Sequence, residues 1–216
     1  MVKFILGEKL GMITMFENDK AVPVTLIKVL PCVVTNIKKS DKDGYTAIQV
    51  GCGEKKKVSK PVLGQVHNLG KFKVIKEFRI PEEYVENYKI GDKIDITIFK
   101  EGDLVNISGI SKGKGFQGVV SRWGFRDAPR THGQTTKYRH PGSIGATTPQ
   151  RVIKGLKMAG REGNKRITVR NLKILYIDKE NNILAVKGTV PGNRKGLLEL
   201  RSAELTNKGK LRGKVK

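Results

Sequence analysis

Along the first 110 positions, apolar residues come in short runs rich in Val, Ile, Thr and Phe, separated by polar residues and turn signals. Runs of this length and composition mark strands with at least one buried face. The pattern predicts strands over 3–6, 12–16, 21–30, 32–37, 46–50, 72–80, 94–99 and 104–110. Glu17-Asn18-Asp19, Asp43-Gly44 and Ile90-Gly91-Asp92 supply turn residues between them. Pro81-Glu82-Glu83-Tyr84 opens one helical turn, where the missing proline N–H costs nothing. The same texture returns at 167–177, 183–189 and 197–200, with Asn181-Asn182 as a turn. Many short strands with few helices predict a mainly β fold. The expected architecture is one β-barrel of residues 1–110 and 167–205, closed by both ends of the chain, with 111–166 looped out as an extension and 206–216 as a basic tail.

The middle reads differently. Residues 111–170 hold 14 Lys or Arg against two acids, Asp127 and Glu162, a formal +12. Ten of the sixty are Gly and 16 are apolar, about 27% against 38% for the whole chain. Fixing sixty backbones costs on the order of 60–120 kcal/mol. Sparse apolar side chains cannot offset that at ~25 cal/mol per Å² buried, so the segment is expected to order against a partner. Lys208, Lys210, Arg212, Lys214 and Lys216 then alternate with small or apolar residues without an acid, as in a basic tail.

Charge narrows the partner. The 216 residues carry 43 Lys+Arg and 20 Asp+Glu, net +23, an excess that opposes compaction unless a polyanion neutralises it. No apolar run approaches the ~20 residues of a membrane span. The opening stretch, broken by Lys3, Glu8 and Lys9, lacks a signal-peptide core, so the expected compartment is the cytoplasm. Cys32 and Cys52 lack metal-ligand spacing and read as small buried hydrophobes.

A phosphate-binding surface needs cations, close backbone approach and flat side chains. Gly113, Gly115, Gly118, Gly124, Gly133, Gly142 and Gly145 let main-chain N–H groups approach phosphate oxygens. Arginine forks onto phosphates bidentately or stacks on bases. Trp123, Phe125, Tyr138, His132 and His140 offer planes for unstacked bases. The candidate RNA-binding residues are Lys112, Lys114, Arg122, Trp123, Arg126, Arg130, His132, Lys137, Arg139, His140, Arg151, Lys154, Lys157, Arg161, Lys165 and Arg166. A solvated charged face would pair its cations with Glu or Asp, and this one does not.

Other motifs are weaker. Gly113-Lys114-Gly115-Phe116-Gln117-Gly118 matches G-x-G-x-x-G, yet a dinucleotide site needs a helix after it and an acid ~20 residues on. Val119-Val120-Ser121-Arg122 is a poor helix start and no acid lies near residue 138. His132, His140, Asp127 and Ser143 form a hydrolytic set only if held rigidly, which a Gly-rich segment without a core does not provide. No catalytic residue, cofactor or metal site is expected. His67 reads as a surface or core histidine.

The order of the motifs carries a resemblance. Phe99, then Asn106 after six residues, Gly109, Ser111, Gly113-Lys114-Gly115, Gly118 and Arg122 resemble the signature of the universal large-ribosomal-subunit protein L three family. Leu6-Gly7-Glu8-Lys9-Leu10-Gly11-Met12 resembles the family's opening. Thr131-His132-Gly133, Gly142-Ser143-Ile144-Gly145 and Lys154-Gly155-Leu156-Lys157-Met158-Ala159-Gly160 resemble its central extension. Val186-Lys187-Gly188-Thr189-Val190-Pro191-Gly192 resembles its closing strand and turn, and the length resembles bacterial members.

The resemblance implies a six-stranded translation-protein-type barrel with a long, largely irregular extension running into 23S rRNA and approaching the peptidyl-transferase centre. It also implies binding near the 3′ end of that RNA early in assembly, with ribosomal proteins L fourteen and L nineteen as neighbours. The implied tip is Ser143, Ile144, Gly145, Ala146, Thr147, Thr148, Pro149 and Gln150. Some family members carry a modified glutamine just before the Thr-Pro of this tip. Here Thr147 holds that place, the segment is one residue shorter, and Gln150 follows Pro149. A basic RNA-processing or RNA-modifying enzyme is the rival reading.

Overall fold

A computed structural model describes residues 3–17, 19–67 and 69–203 of the chain. Seven strands precede the basic middle: β1 (Phe4–Glu17), β2 (Lys20–Leu30), β3 (Cys32–Lys38), β4 (Ala47–Glu54), β5 (Phe72–Arg79), β6 (Lys93–Ile94) and β7 (Leu104–Ile110). Within the middle lie β8 (Gly115–Gln117) and β9 (Gly160–Glu162), and after it β10 (Arg166–Asp178), β11 (Ile183–Lys187) and β12 (Leu197–Ser202). Six strands close an antiparallel barrel in the order β1-β12-β7-β10-β11-β2, with β2 pairing back onto β1. The expected mainly β, six-stranded barrel built from both ends of the chain is what forms.

Contiguity divides the described residues into two compact units. The residues up to Ile110 and from Arg166 onward make one, and Ser111–Lys165 makes the other. In the first, the main core cluster spans the barrel and a second sheet, and a smaller one forms around Val22, Val24 and Ala185. Phe4 on β1 stacks on Phe78 of β5 with ring centroids 4.6 Å apart, and Tyr88 lies 5.5 Å from the same Phe4 ring. Closing the barrel brings backbones close. A Cβ at Gly7 would stand 2.7 Å from Ile27 Cγ2, and one at Gly109 2.8 Å from Leu198 Cδ2. The buried Thr25 hydroxyl donates to the Gly188 carbonyl at 2.6 Å, satisfying a polar group that would otherwise be costly inside.

Four expectations need correction. The early strands do not all enter the barrel, because β3 to β6 form a separate sheet in the order β5-β4-β3-β6. Six consecutive residues of β4 are buried, so that strand carries no alternation from which its sheet could be read. The runs at 3–6 and 12–16 are one strand, whose pairing with β2 continues through a register shift between Lys9 and Gly11. The run at 94–99 is a strand only at Lys93–Ile94 and then a 3-10 turn, Ile96–Ile98. Ile96 and Phe99 are both buried there at a spacing of three, the period of a turn rather than a strand. Two short helices, α1 (Ser40–Asp43) and α2 (Lys60–Gln65), carry no buried residue and left no apolar pattern. The turn expected at Pro81 is a 3-10 helix, Glu82–Asn87, with Pro81 capping it.

Cys32 and Cys52 are buried, free, and directly opposite each other on β3 and β4. His67 is exposed. Among the described residues no helix is long and apolar enough to cross a membrane. The basic tail at 206–216 lies outside the described residues.

Candidate nucleic-acid interface

Ile110 and Arg166 face each other in the β7–β10 ladder, so the chain leaves and re-enters the barrel at neighbouring points. The Ser111–Lys165 unit is tied at its ends by Ser111 N–H donating to Lys165 O at 2.9 Å and Lys114 N–H donating to Glu162 O at 3.0 Å. β8 and β9 then pair from Gly115↔Glu162 to Gln117↔Gly160. Gly163 is required here: its φ is +73° and a Cβ would lie 2.0 Å from Lys112 O.

A five-residue helix, α3 (Val119–Trp123), follows Gly118, contrary to the expected poor helix start. Its two valines have low intrinsic preference, but Val119 is buried and Gly124 closes the turn in the left-handed region at φ 71°. Val119 is also the one buried side chain among the described residues of this unit. The segment is accordingly as poor in core as its composition indicates.

Three of the expected RNA-binding residues gather at α3. The Arg122 guanidinium and the Trp123 indole N–H both donate to Met158 O at 2.8 Å. Arg122 lies 5.0 Å and Lys157 5.9 Å from the Trp123 ring, inside cation–π range. Gly160 sits against this group with room only for hydrogen, since a Cβ would be 2.5 Å from Arg122 Nη1. A second group forms around Tyr138. Arg130 Nε donates to its hydroxyl at 2.6 Å and lies 4.9 Å from the ring, with Arg139 at 5.9 Å.

Both acids of the unit are occupied. Glu162 pairs with Lys114 at 2.7 Å. Asp127 lies 3.6 Å from the Arg139 guanidinium and accepts the N–H groups of Ala128 and Arg139. The unit holds twelve Lys or Arg, so ten cations have no carboxylate partner among the described residues. Lys112, Arg126, Lys137, Arg151, Lys154, Arg161 and Lys165 are exposed and spread along the unit, as are His132 and His140. They do not converge on a point. Arg166 belongs to the barrel, where it pairs with Glu199.

Every residue from Arg139 to Lys157 is exposed, which includes the implied tip. There Ser143 Oγ donates to Gly145 O at 3.0 Å. This commits the hydroxyl locally, and among the described residues no hydrogen bond joins Ser143, His132, His140 and Asp127. Among the described residues no three His, Cys, Asp or Glu side chains form a potential metal cluster. The arrangement suits a ligand that is extended and polyanionic: dispersed unpaired cations, stacking planes and open backbone, without a pocket converging on one reacting atom.

Sequence reasoning missed Arg79, Arg170 and Arg201, which line a cleft in the barrel unit together with Arg166. Each occupies an ordinary polar position of a strand, and only the pairing of β10 and β12 with β7, together with β5 of the second sheet, brings them to one cleft.

A family model described as Ribosomal protein L3 matches residues 45–183. The chain is 48% identical over 206 residues to the large ribosomal subunit protein uL3 of Thermosipho africanus, covering 94% of this chain and 99% of that one. It is 46% identical over 214 residues to the protein of the same name from Herpetosiphon aurantiacus, covering 96% and 100%. The counterpart from Dehalococcoides mccartyi is 44% identical over 200 residues, covering 92% and 97%.

Proposed function

Because this chain belongs to the ribosomal protein L3 family, we propose that it acts in the large ribosomal subunit of a bacterium as a structural, RNA-binding constituent rather than an enzyme. Its place of work is then the cytoplasm, within a ribonucleoprotein engaged in translation. The observation that carries the reading is the Ser111–Lys165 unit, with ten unpaired cations and one buried side chain among its described residues. A segment so built gains little from its own core and much from a polyanion that threads past it.

The finer reading follows from that chemistry and from the family. The chain binds 23S rRNA near its 3′ end, early enough to nucleate subunit assembly, with L fourteen and L nineteen as neighbours. The β-barrel is the rigid base, and Ser111–Lys165 takes its final order as RNA folds around it, so each stabilises the other. Its exposed stretch from Ser143 to Gln150 approaches the peptidyl-transferase centre and acts there by packing and charge, with no protein side chain in bond making. Shape and 2′-OH recognition outweigh base-edge readout, because the unit has no long helix or strand to place in a groove.

The test is co-sedimentation of the tagged full-length chain with ribosomal particles in high salt. Stable association with large subunits is expected. Free protein that turns over an RNA substrate would instead favour an RNA-modifying enzyme.

A further inference from the structure

The barrel unit carries a second cationic feature, outside Ser111–Lys165. Arg166 and Arg170 on β10, Arg201 on β12 and Arg79 on β5 line one cleft of about 790 Å³. The register explains the gathering. β7 lies between β10 and β12, with Thr168 opposite Ser108 and Arg201 opposite Asn106, so cations from both neighbours flank one central strand. Arg79 comes from the second sheet, opposite Ala47. The volume falls in the range of small-ligand clefts, roughly 300–1,000 Å³.

The charges do not balance locally. Glu199 is nearly buried and is shared by Arg166, by Lys76 at 3.9 Å and by Arg201 at 4.0 Å. Glu77, on the cleft wall, is held by Lys38 at 3.2 Å and by the Tyr45 hydroxyl at 2.8 Å. Six cations thus face two carboxylates, and among the described residues Arg79 and Arg170 have no carboxylate partner. The Arg201 Nε is buried without a hydrogen-bond partner among the described residues. Burial pulls the Arg201 guanidinium below its ordinary range; Glu199 opposes this and the Arg166 charge adds to it. It stays charged nonetheless.

Two of the guanidinium groups are already oriented. Arg201 lies 4.9 Å from the Phe78 ring and Arg79 lies 5.0 Å from the Tyr45 ring. Oriented forks with surplus positive charge suit the two free oxygens of a phosphodiester. The Ser108 and Thr168 hydroxyls, 2.7 Å apart on the same wall, can exchange hydrogen bonds with a ribose 2′-OH. A carboxylate would satisfy the cations but would leave those hydroxyls without a sugar to meet.

We propose that this cleft is a second RNA site, which holds a backbone phosphate through Arg79 and Arg170 while Glu199 keeps Arg166 and Arg201 in position. The proposal rests on the RNA-binding reading above and extends it from the basic unit to the barrel.

The test measures binding of the full-length chain to large-subunit rRNA across a series of KCl concentrations. The wild type is compared with the double variant Arg79→Gln/Arg170→Gln. A second double variant, Lys55→Gln/Lys56→Gln, removes the same charge from an exposed stretch outside the cleft. If each arginine neutralises one phosphate, removing both flattens the slope of log K against log salt by about 1.4 to 1.8, or roughly 14- to 30-fold in affinity near 0.15 M salt. The lysine pair should change the slope by less than half as much. Unchanged binding by the arginine variant, beside a wild type that binds, overturns the cleft and leaves the basic unit's role standing. An equal loss in the lysine pair also overturns it, as an effect of bulk charge. A wild type that does not bind rRNA overturns the RNA-binding reading itself and the cleft with it. Phenylglyoxal modification of the wild type gives a readout that needs no variant. Protection of Arg79 and Arg170 by rRNA supports the site, and protection by polyglutamate alone overturns it in favour of an acidic protein partner.

Discussion

Replacing Arg126, Lys137, Arg151 and Lys154 together with glutamine removes four of the ten unpaired cations of Ser111–Lys165. All four are exposed and none has an ion-pair partner among the described residues. If all ten meet phosphates, the wild-type slope of log K against log salt is about −7 to −9, since each neutralised phosphate contributes about 0.7 to 0.9. With four fewer phosphates neutralised, the slope flattens by about 2.8 to 3.6. Extrapolated from 1 M, where this contribution vanishes, to about 0.15 M, that is a loss of roughly 200- to 1,000-fold, or about 3 to 4 kcal/mol. Surface substitutions of this kind change stability by about 0.5 kcal/mol or less, so thermal unfolding should stay within a few degrees of wild type. Filter binding to large-subunit rRNA over a fourfold range of KCl measures the slope. A variant whose slope stays within about one unit of wild type would refute the claim that these cations are free to meet phosphate.

The remaining predictions concern packing, titration and the tip. Phe4→Ala should cost about 3 to 5 kcal/mol in urea unfolding, because the ring is buried against Phe78 and Tyr88 at the junction of both sheets; a loss below 1 kcal/mol would mean that the junction is not a core. Burial raises Tyr88 from 10.0 to about 12, so its stabilising contribution is complete below pH 10 and disappears as the pH rises toward 12. The effect is on the order of 3 kcal/mol, and Tyr88→Phe should therefore flatten the alkaline fall in stability over that range; identical pH profiles would exclude the assigned cause. Gly163→Ala should weaken the β8–β9 pairing, since its φ is +73° and Lys112 O occupies the space. Faster proteolysis within Ser111–Lys165 is the expected signature, and an unchanged digestion pattern the contrary one. Gly145→Tyr meets open space and should fold normally while altering the cellular response to peptidyl-transferase antibiotics; unchanged drug sensitivity in ribosomes carrying the variant would count against a tip near that centre.

How far the chain could be read in advance depended on whether neighbours in sequence were also neighbours in space. β2 shows its alternation through Val22 and Val24 on one face and Ile27 and Val29 on the other, and the Ser111–Lys165 unit shows its character because cations, glycines and aromatic rings interleave within it. β4 is buried on both faces and gives no sign of which sheet it joins. Ile94, Ile96 and Phe99 look alike in a linear pattern, although a strand ends between the first two. The helix after Gly118 depends on the burial of Val119, a tertiary effect that overrides local preference. The Arg79, Arg166, Arg170 and Arg201 cleft was illegible for the same reason: its members lie on three strands, far apart in the chain. Within the basic unit, the pairing of Lys114 with Glu162 and Arg139 with Asp127 separates structural cations from free ones, a distinction that net charge conceals.

The most direct measurement is a density map of large subunits isolated from cells whose ribosomes carry this chain. The account predicts that Ser111–Lys165 is enclosed by rRNA, with phosphates beside the unpaired Arg126, Lys137, Arg151 and Lys154. It also predicts that Ser143 to Gln150 is the part nearest the peptidyl-transferase centre. A map with that unit in solvent, or packed on protein with its cations away from phosphate, would contradict it.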